Sequence, residues 1–220
     1  MIDKILRFYD KSKQGIIVVG NPRCGSHLLT SIITKYYSEF TDVLYVDEIQ
    51  NNEYHNEEST LSSKWFTDQM MIPKKYTVTS AVSLPMVSAL FNQLSIYEII
   101  KHKFTTIKLL RSPMDQFMST IIKEMVVEKT GRSNWHYSLT PETFNDLVTY
   151  PVSISKLRVD IFVRNLQYLA SFPVDHIINY DEIANLPSSK FVKNNYGIPP
   201  EKFFKNYTYI SQKFSDIVLH

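Results

Sequence analysis

Residues 16–33 read IIVVGNPRCGSHLLTSII. Four aliphatic residues in a row, Ile16 to Val19, suit a strand buried on both faces of a parallel sheet. Gly20 to Gly25 then forms a tight turn, and from Ser26 the apolar residues Leu28, Leu29, Ile32, Ile33 and Tyr36 recur at helical spacing. Such a strand–turn–helix aims backbone N–H groups and the positive end of a helix dipole at one point, which suits a phosphate. The spacing from Gly20 to Gly25 matches the start of the phosphate-loop pattern G-x-x-x-x-G-K-[ST]. Ser26 and His27, however, stand where that pattern has its lysine and hydroxyl residue. Arg23, inside the turn, supplies the cation instead.

Outward from this stretch, strands and helices alternate. Ile2, Ile5, Leu6 and Tyr9 predict a short leading helix, with Gly15 breaking it. Short strands are expected near Val43–Val46, Tyr76–Val82, Thr105–Leu110 and Val174–Asn179. Helices are expected near Lys64–Met71, Pro85–Lys101, Pro113–Lys129, Pro141–Val148 and Ser153–Ser171. Ser112 and Pro113 suit an N-cap and a first helical residue, Asp115 fits the first turn, and Gly131 stops the helix. Asn51–Ser63 is polar and reads as a loop, and the segment from Pro187 onward is mixed. No repeat or convincing linker interrupts the chain. The expectation is one α/β domain over residues 1–220, with a mostly parallel central sheet flanked by helices.

Composition narrows the class. Hydrophobic residues at 44% and charged residues at 21% are ordinary for a globular protein. A net charge of +2 argues against a nucleic-acid coat or a polybasic membrane patch. One cysteine excludes an internal disulfide framework and a multi-cysteine zinc site, and favours a reducing compartment. The first 13 residues lack the apolar core of a signal peptide, and Ile16–Val19 is far too short to span a bilayer. These features predict a soluble, cytoplasmic protein.

A second anion-binding segment is IKLLRSPMDQFMST, residues 107–120. Arg111 ends a buried strand, and Ser119 lies eight residues further on. With Ser112 as N-cap, Ser119 returns to the same helix face, so the forked donors of Arg111 and the Ser119 hydroxyl can approach one anion.

Together the two segments resemble the sulfotransferase superfamily that uses 3′-phosphoadenosine-5′-phosphosulfate (PAPS). Its 5′-phosphosulfate loop has the pattern P-[KR]-x-G-[ST]-[ST]-x-L, matched by Pro22, Arg23, Gly25, Ser26 and Leu28, with His27 departing from the usual hydroxyl residue. Its 3′-phosphate element, roughly R-[DS]-P-x-[DE]-x-x-x-S, is matched by Arg111, Ser112, Pro113, Asp115 and Ser119. The motifs occur in the family's order, about 90 residues apart. Arginine at position 23 is similar to the bacterial and tyrosine-directed branches.

The resemblance implies a P-loop nucleoside-triphosphate-hydrolase-like sulfotransferase fold. It also implies a cofactor site formed by Arg23, Cys24, Gly25, Ser26, His27, Leu28, Arg111 and Ser119. Tyr180, in the segment Tyr180-Asp181-Glu182-Ile183, resembles the family's "YEdL" element; it either lies beside the adenine or packs internally. The expected product is adenosine 3′,5′-bisphosphate, and the scheme requires no metal.

Transfer of a sulfo group depends on in-line positioning and on charge stabilisation, here by Arg23 and the loop N–H groups. An acceptor also needs a base unless it is already deprotonated. By resemblance Glu48 takes that role, with Asp47 as alternate and His27 as rival, because imidazole titrates in the useful range. His27 equally fits donation to a sulfo oxygen or a role in filling the helix start. A phosphatase reading of Cys24 fails, since Thr30 stands where its arginine would be needed. His55 with Glu53, Glu57 and Glu58 has no recognised metal spacing, and Arg132, Trp135, His136 and Tyr137 are a candidate covering loop.

Two other classes remain open: a P-loop small-molecule or nucleotide kinase, and a non-catalytic nucleotide-binding module. The expected partner is a small-molecule, sugar or peptide acceptor, with no nucleic acid and no membrane span. The sequence leaves the acceptor and the oligomeric state open.

Overall fold

A computed structural model describes residues 2–46, 63–82, 84–131, 141–186 and 198–217. The first half runs α1 (Ile2–Leu6), β1 (Gly15–Val19), α2 (Ser26–Tyr37), β2 (Val43–Tyr45), α3 (Ser63–Met70), β3 (Tyr76–Ala81), α4 (Leu84–Asn92), α5 (Leu94–Lys103) and β4 (Phe104–Leu110). The second half runs α6 (Pro113–Thr130), α7 (Pro141–Leu147), α8 (Lys156–Ala170), β5 (His176–Asn179), α9 (Tyr180–Ile183), α10 (Pro200–Phe203) and α11 (Tyr207–Ser215). The five described strands form one parallel sheet in the order β2-β3-β1-β4-β5.

Burial explains that order. Every residue of β1 and β3 is buried, as is all of β4 except Leu110, so these strands take the middle. Only one of the four β5 residues is buried and none of the three in β2, which suits the two edges. From β1 the chain crosses to β2 on one side, whereas β4 lies on the other side of β1. The strand order therefore reverses between β1 and β4, and in open α/β sheets the crevice outside such a reversal is where ligands bind.

The chain divides into two compact units, residues 1–110 with 172–189, and residues 111–171 with 190–220. In the first unit, Gly15 pairs with both Thr77 and Phe104, so Tyr76 points to the face opposite Phe104. On Tyr76's face, its ring meets Tyr9 and Tyr37, and the Tyr37 hydroxyl donates to the Ile5 carbonyl at 2.8 Å. Burial pushes the Tyr37 and Tyr76 phenols well above their ordinary range, so both stay neutral. On the other face Phe66 of α3 packs edge-on against Phe104. That face also holds Lys108, whose buried Nζ donates to the Phe172 carbonyl at 2.8 Å. Burial holds its pKa below the ordinary lysine value. The β5 edge is fixed by Asp175, whose Oδ2 accepts from the Thr106 N–H at 2.7 Å and its hydroxyl at 2.9 Å.

Where sequence spacing predicts one helix over Pro85–Lys101, there are two. Gln93 is extended, at φ −85° and ψ 108°, and its carbonyl accepts from the N–H groups of Ile96 and Tyr97 to start α5. In α5, Ile96 and Ile100 are buried.

The second unit is helical around an aromatic core. Phe117 and Ile121 of α6 join Phe144 of α7, Val159 of α8, Phe203 of α10 and Ile210 of α11. Each fully buried Phe contributes about 2–3 kcal/mol. A parallel bridge between Val152 and Phe204 and both amide atoms of Asn206 bonded to Ile154 tie the ends together. Arg158 pairs with Glu124.

Candidate functional site

The β1–α2 loop leaves the carboxyl end of β1. Gly20 donates to the Ala81 carbonyl at 3.2 Å, and Cys24 N–H donates to the Asn21 carbonyl at 3.1 Å. Space dictates glycine at position 20, since a Cβ there would stand 2.6 Å from Cys24 Sγ and 3.2 Å from the Leu109 carbonyl oxygen. The loop thus runs hard against the end of β4, the neighbouring strand.

Arg23 and Gly25 both have positive φ, 68° and 101°. An arginine in the left-handed region carries strain that its surroundings must hold, and such residues concentrate at functional sites. Gly25 is also the N-cap of α2, and no side chain caps that helix. A Ser, Thr, Asp or Asn at this position would supply an oxygen to the first turn. Gly25 supplies none, which suits an external anion.

The residues after Gly25 divide by burial. Ser26, Leu28 and Thr30 are buried, while Arg23 and His27 are half-buried. Thr30 donates to the carbonyl oxygens of Ser26 at 3.0 Å and His27 at 3.3 Å, so its hydroxyl braces the helix start. Cys24 is buried beside Gly20.

Tyr180 belongs beside this loop. A Cβ on Gly25 would come within 2.6 Å of Cδ2 and Cε2 of the tyrosine ring. Tyr180 opens α9, and that short helix is fixed by a capping box. The Asn179 side chain accepts from the Glu182 N–H, and Glu182 Oε1 accepts from the Asn179 N–H at 2.9 Å. Glu182 Oε2 also meets Lys4 Nζ at 2.8 Å. The Lys4 hydrogen bond, then the Asn179 N–H, hold the Glu182 carboxyl below its ordinary pKa.

In the second unit, Ser112 caps α6 as its spacing predicts, accepting from the Asp115 N–H at 3.5 Å, with Pro113 in the first turn. Gly131 closes the helix at φ 65°. Ser119 is buried, Ser112 is exposed at the cap, and Arg111 is half-buried just before it. Gln116 is a further polar residue of α6, with no motif of its own to mark it. It is buried one turn after Ser112 and one turn before Ser119, extending a polar stripe along α6. Its spacing from those two serines was the available signal.

Arg23, Cys24, Gly25, Ser26, His27, Leu28 and Tyr180 are thus gathered in the first unit, and Arg111 and Ser119 lie on one stretch of the second. Glu48, Asp47, the acidic segment through Glu58 and the residues 132–140 lie outside the described residues. Among the described residues, no three His, Cys, Asp or Glu side chains cluster as a metal would require. No described helix is long and apolar enough to cross a membrane.

No protein-family model matches the chain, and no curated protein or solved structure matches it.

Proposed function

We propose that this chain is a sulfotransferase of the P-loop-like type, moving the sulfo group of PAPS to a hydroxyl or amine. The observation that carries this reading is the β1–α2 loop. It has two left-handed residues, an arginine between its glycines and a helix start with no side-chain cap, at the carboxyl edge of the sheet beside the strand-order reversal. The missing phosphate-loop lysine weighs against a kinase. The order and spacing of the two motifs favour a doubly phosphorylated adenosine over a simple phosphate.

In the proposed reaction, the acceptor oxygen or nitrogen forms a bond to sulfur while the bond from sulfur to the 5′-phosphate oxygen breaks. The leaving group is adenosine 3′,5′-bisphosphate. Arg23 and the start of α2 stabilise the charge that gathers on the leaving phosphate. Arg111 and Ser119 hold the 3′-phosphate. Glu48 takes the acceptor proton, with Asp47 or His27 as the alternatives.

Thermal unfolding tests the donor assignment. At a hundred times its dissociation constant, a ligand stabilises the native state by about 2.7 kcal/mol. Adenosine 3′,5′-bisphosphate is expected to raise Tm by several degrees, and ATP with magnesium to raise it less. The reverse order would replace this reading with the kinase one. A Glu48→Gln variant that binds the bisphosphate but turns over at the full rate would remove Glu48 as base.

A further inference from the structure

The turns that enter β1 and β3 carry Lys11 and Lys13, and Lys74 and Lys75, and the last turn of α5, which leads straight into β4, carries Lys101 and Lys103. Parallel register brings these turns side by side, with Gly15 opposite both Thr77 and Phe104. Hydrogen bonds then stitch them together. Gln14 N–H donates to the Lys103 carbonyl at 2.6 Å, and Gln14 Nε2 donates to the carbonyls of Lys75 at 2.8 Å and Ile72 at 3.0 Å. Lys13 Nζ reaches the Lys101 carbonyl at 2.8 Å. Six lysines therefore share the amino edge of the sheet. Lys11, Lys74, Lys101 and Lys103 are exposed, and Lys13 and Lys75 are half-buried.

The carboxylates nearby are partly engaged. Asp10 accepts from the N–H and hydroxyl of Ser12, Asp42 lies 3.9 Å from Lys75, and Glu98 lies 3.2 Å from His102 Nε2. Glu39 is exposed. Helix dipoles account for part of the lysine row, because Lys101 and Lys103 close α5. They do not account for Lys11, Lys74 or Lys75. Lys74 has a φ of 63°, a conformation in which Gly or Asn would be at ease.

Two large apolar side chains flank the row. Phe40 is 50% exposed beside Tyr9, and Ile72 is 36% exposed at the turn that Gln14 binds. Lysines with long apolar stems, bracketed by an exposed phenylalanine and an isoleucine, match a layer of anionic headgroups over hydrocarbon. Residues 11–14, 72–75 and 101–103 hold no arginine, the residue that base-reading and phosphate-fork contacts favour, although exposed Arg7 stands at the end of α1.

We infer that the amino edge of the sheet is a docking surface for an anionic lipid bilayer. The assignment stands apart from the proposed activity, since it uses none of the loop residues. The test is co-sedimentation of the full chain with phosphatidylcholine vesicles, with and without phosphatidylserine. Binding is expected only to the vesicles containing phosphatidylserine, with each surface lysine worth roughly fivefold in partitioning. Lys74→Glu combined with Lys101→Glu is expected to lower binding at least tenfold, and Phe40→Ser to lower it several-fold while preserving its salt dependence. Should the lysine pair melt early, Lys11→Glu with Lys103→Glu gives the same reading. Salt near 0.5 M, where screening is much shorter than the roughly 10 Å of 0.1 M, is expected to release the chain. Absence of binding to phosphatidylserine, or binding indifferent to both lysine pairs, would overturn the inference. So would lysine-dependent binding to single-stranded RNA in the absence of vesicle binding, which would reassign the edge to nucleic acid.

Discussion

The ring of Tyr180 lies against Gly25 so closely that a side chain at position 25 would overlap it, with a Cβ only 2.6 Å from two ring carbons. Gly25 is also left-handed, at φ 101°. Gly25→Ala is therefore expected to lose about 2–4 kcal/mol of stability, part from backbone strain and part from the overlap. In a Tyr180→Ala background the same change is expected to cost only about 1–2 kcal/mol, the backbone part alone. Denaturant unfolding of the four proteins measures the coupling, and full additivity would mean that the two residues do not touch.

Arg23 separates fold from binding. Its φ of 68° suits glycine, while a glycine also loosens the unfolded chain. These effects oppose each other, so Arg23→Gly is expected to change stability by less than about 1 kcal/mol. Affinity for adenosine 3′,5′-bisphosphate, followed by calorimetry, is expected to fall about tenfold or more with the guanidinium gone. Undiminished affinity would take Arg23 out of the site.

Arg111 and Ser119 are expected to act on one phosphate only. Arg111→Ala is expected to weaken bisphosphate binding by about tenfold or more, and Ser119→Ala by several-fold. Adenosine 5′-phosphosulfate, which lacks the 3′-phosphate, is expected to bind both variants nearly as well as the parent chain. Equal losses for the two ligands would contradict the assignment of these residues to the 3′-phosphate.

Glu182 gives stability a pH dependence of known sign. Its folded pKa is lowered from 4.5, so the native state binds fewer protons there than the unfolded chain. The stabilisation is complete above about 4.5 and fades as pH falls through the lowered value. Glu182→Gln keeps an acceptor for the Asn179 N–H and removes the charge facing Lys4. The variant is expected to be less stable at pH 7 by no more than about 1 kcal/mol, because the pair is partly exposed. Once pH falls below the lowered Glu182 pKa, the two proteins are expected to converge. A difference that stays constant across that range would assign the effect to packing.

Strand β1 was legible because Ile16–Val19 is the unbroken aliphatic run that a parallel interior imposes, and β4 was marked more weakly by Ile107 and Leu109 among its polar residues. The caps of α6 were legible for a similar local reason, with Ser112 and Pro113 opening the helix and Gly131 ending it. Gln93 was not, since no proline or glycine marks the break. The break is seen only in the backbone, where Gln93 is extended ahead of the buried Ile96 and Ile100. The loop at Gly20–Gly25 announced itself, but the tyrosine lying on it is more than 150 residues away and only the sheet brings them together. The lysines of the amino edge were invisible for the same reason. Composition sees a net charge of +2, whereas strand register collects three separate turns into one row.

Cys24 turns the loop into its own reporter. It is the sole thiol in the chain, and it is sealed beneath Gly20. Alkylation of the native protein must wait for that segment to open, so the labelling rate measures how often it does so. Occupancy of the loop by a ligand should slow the reaction, with no engineered probe needed.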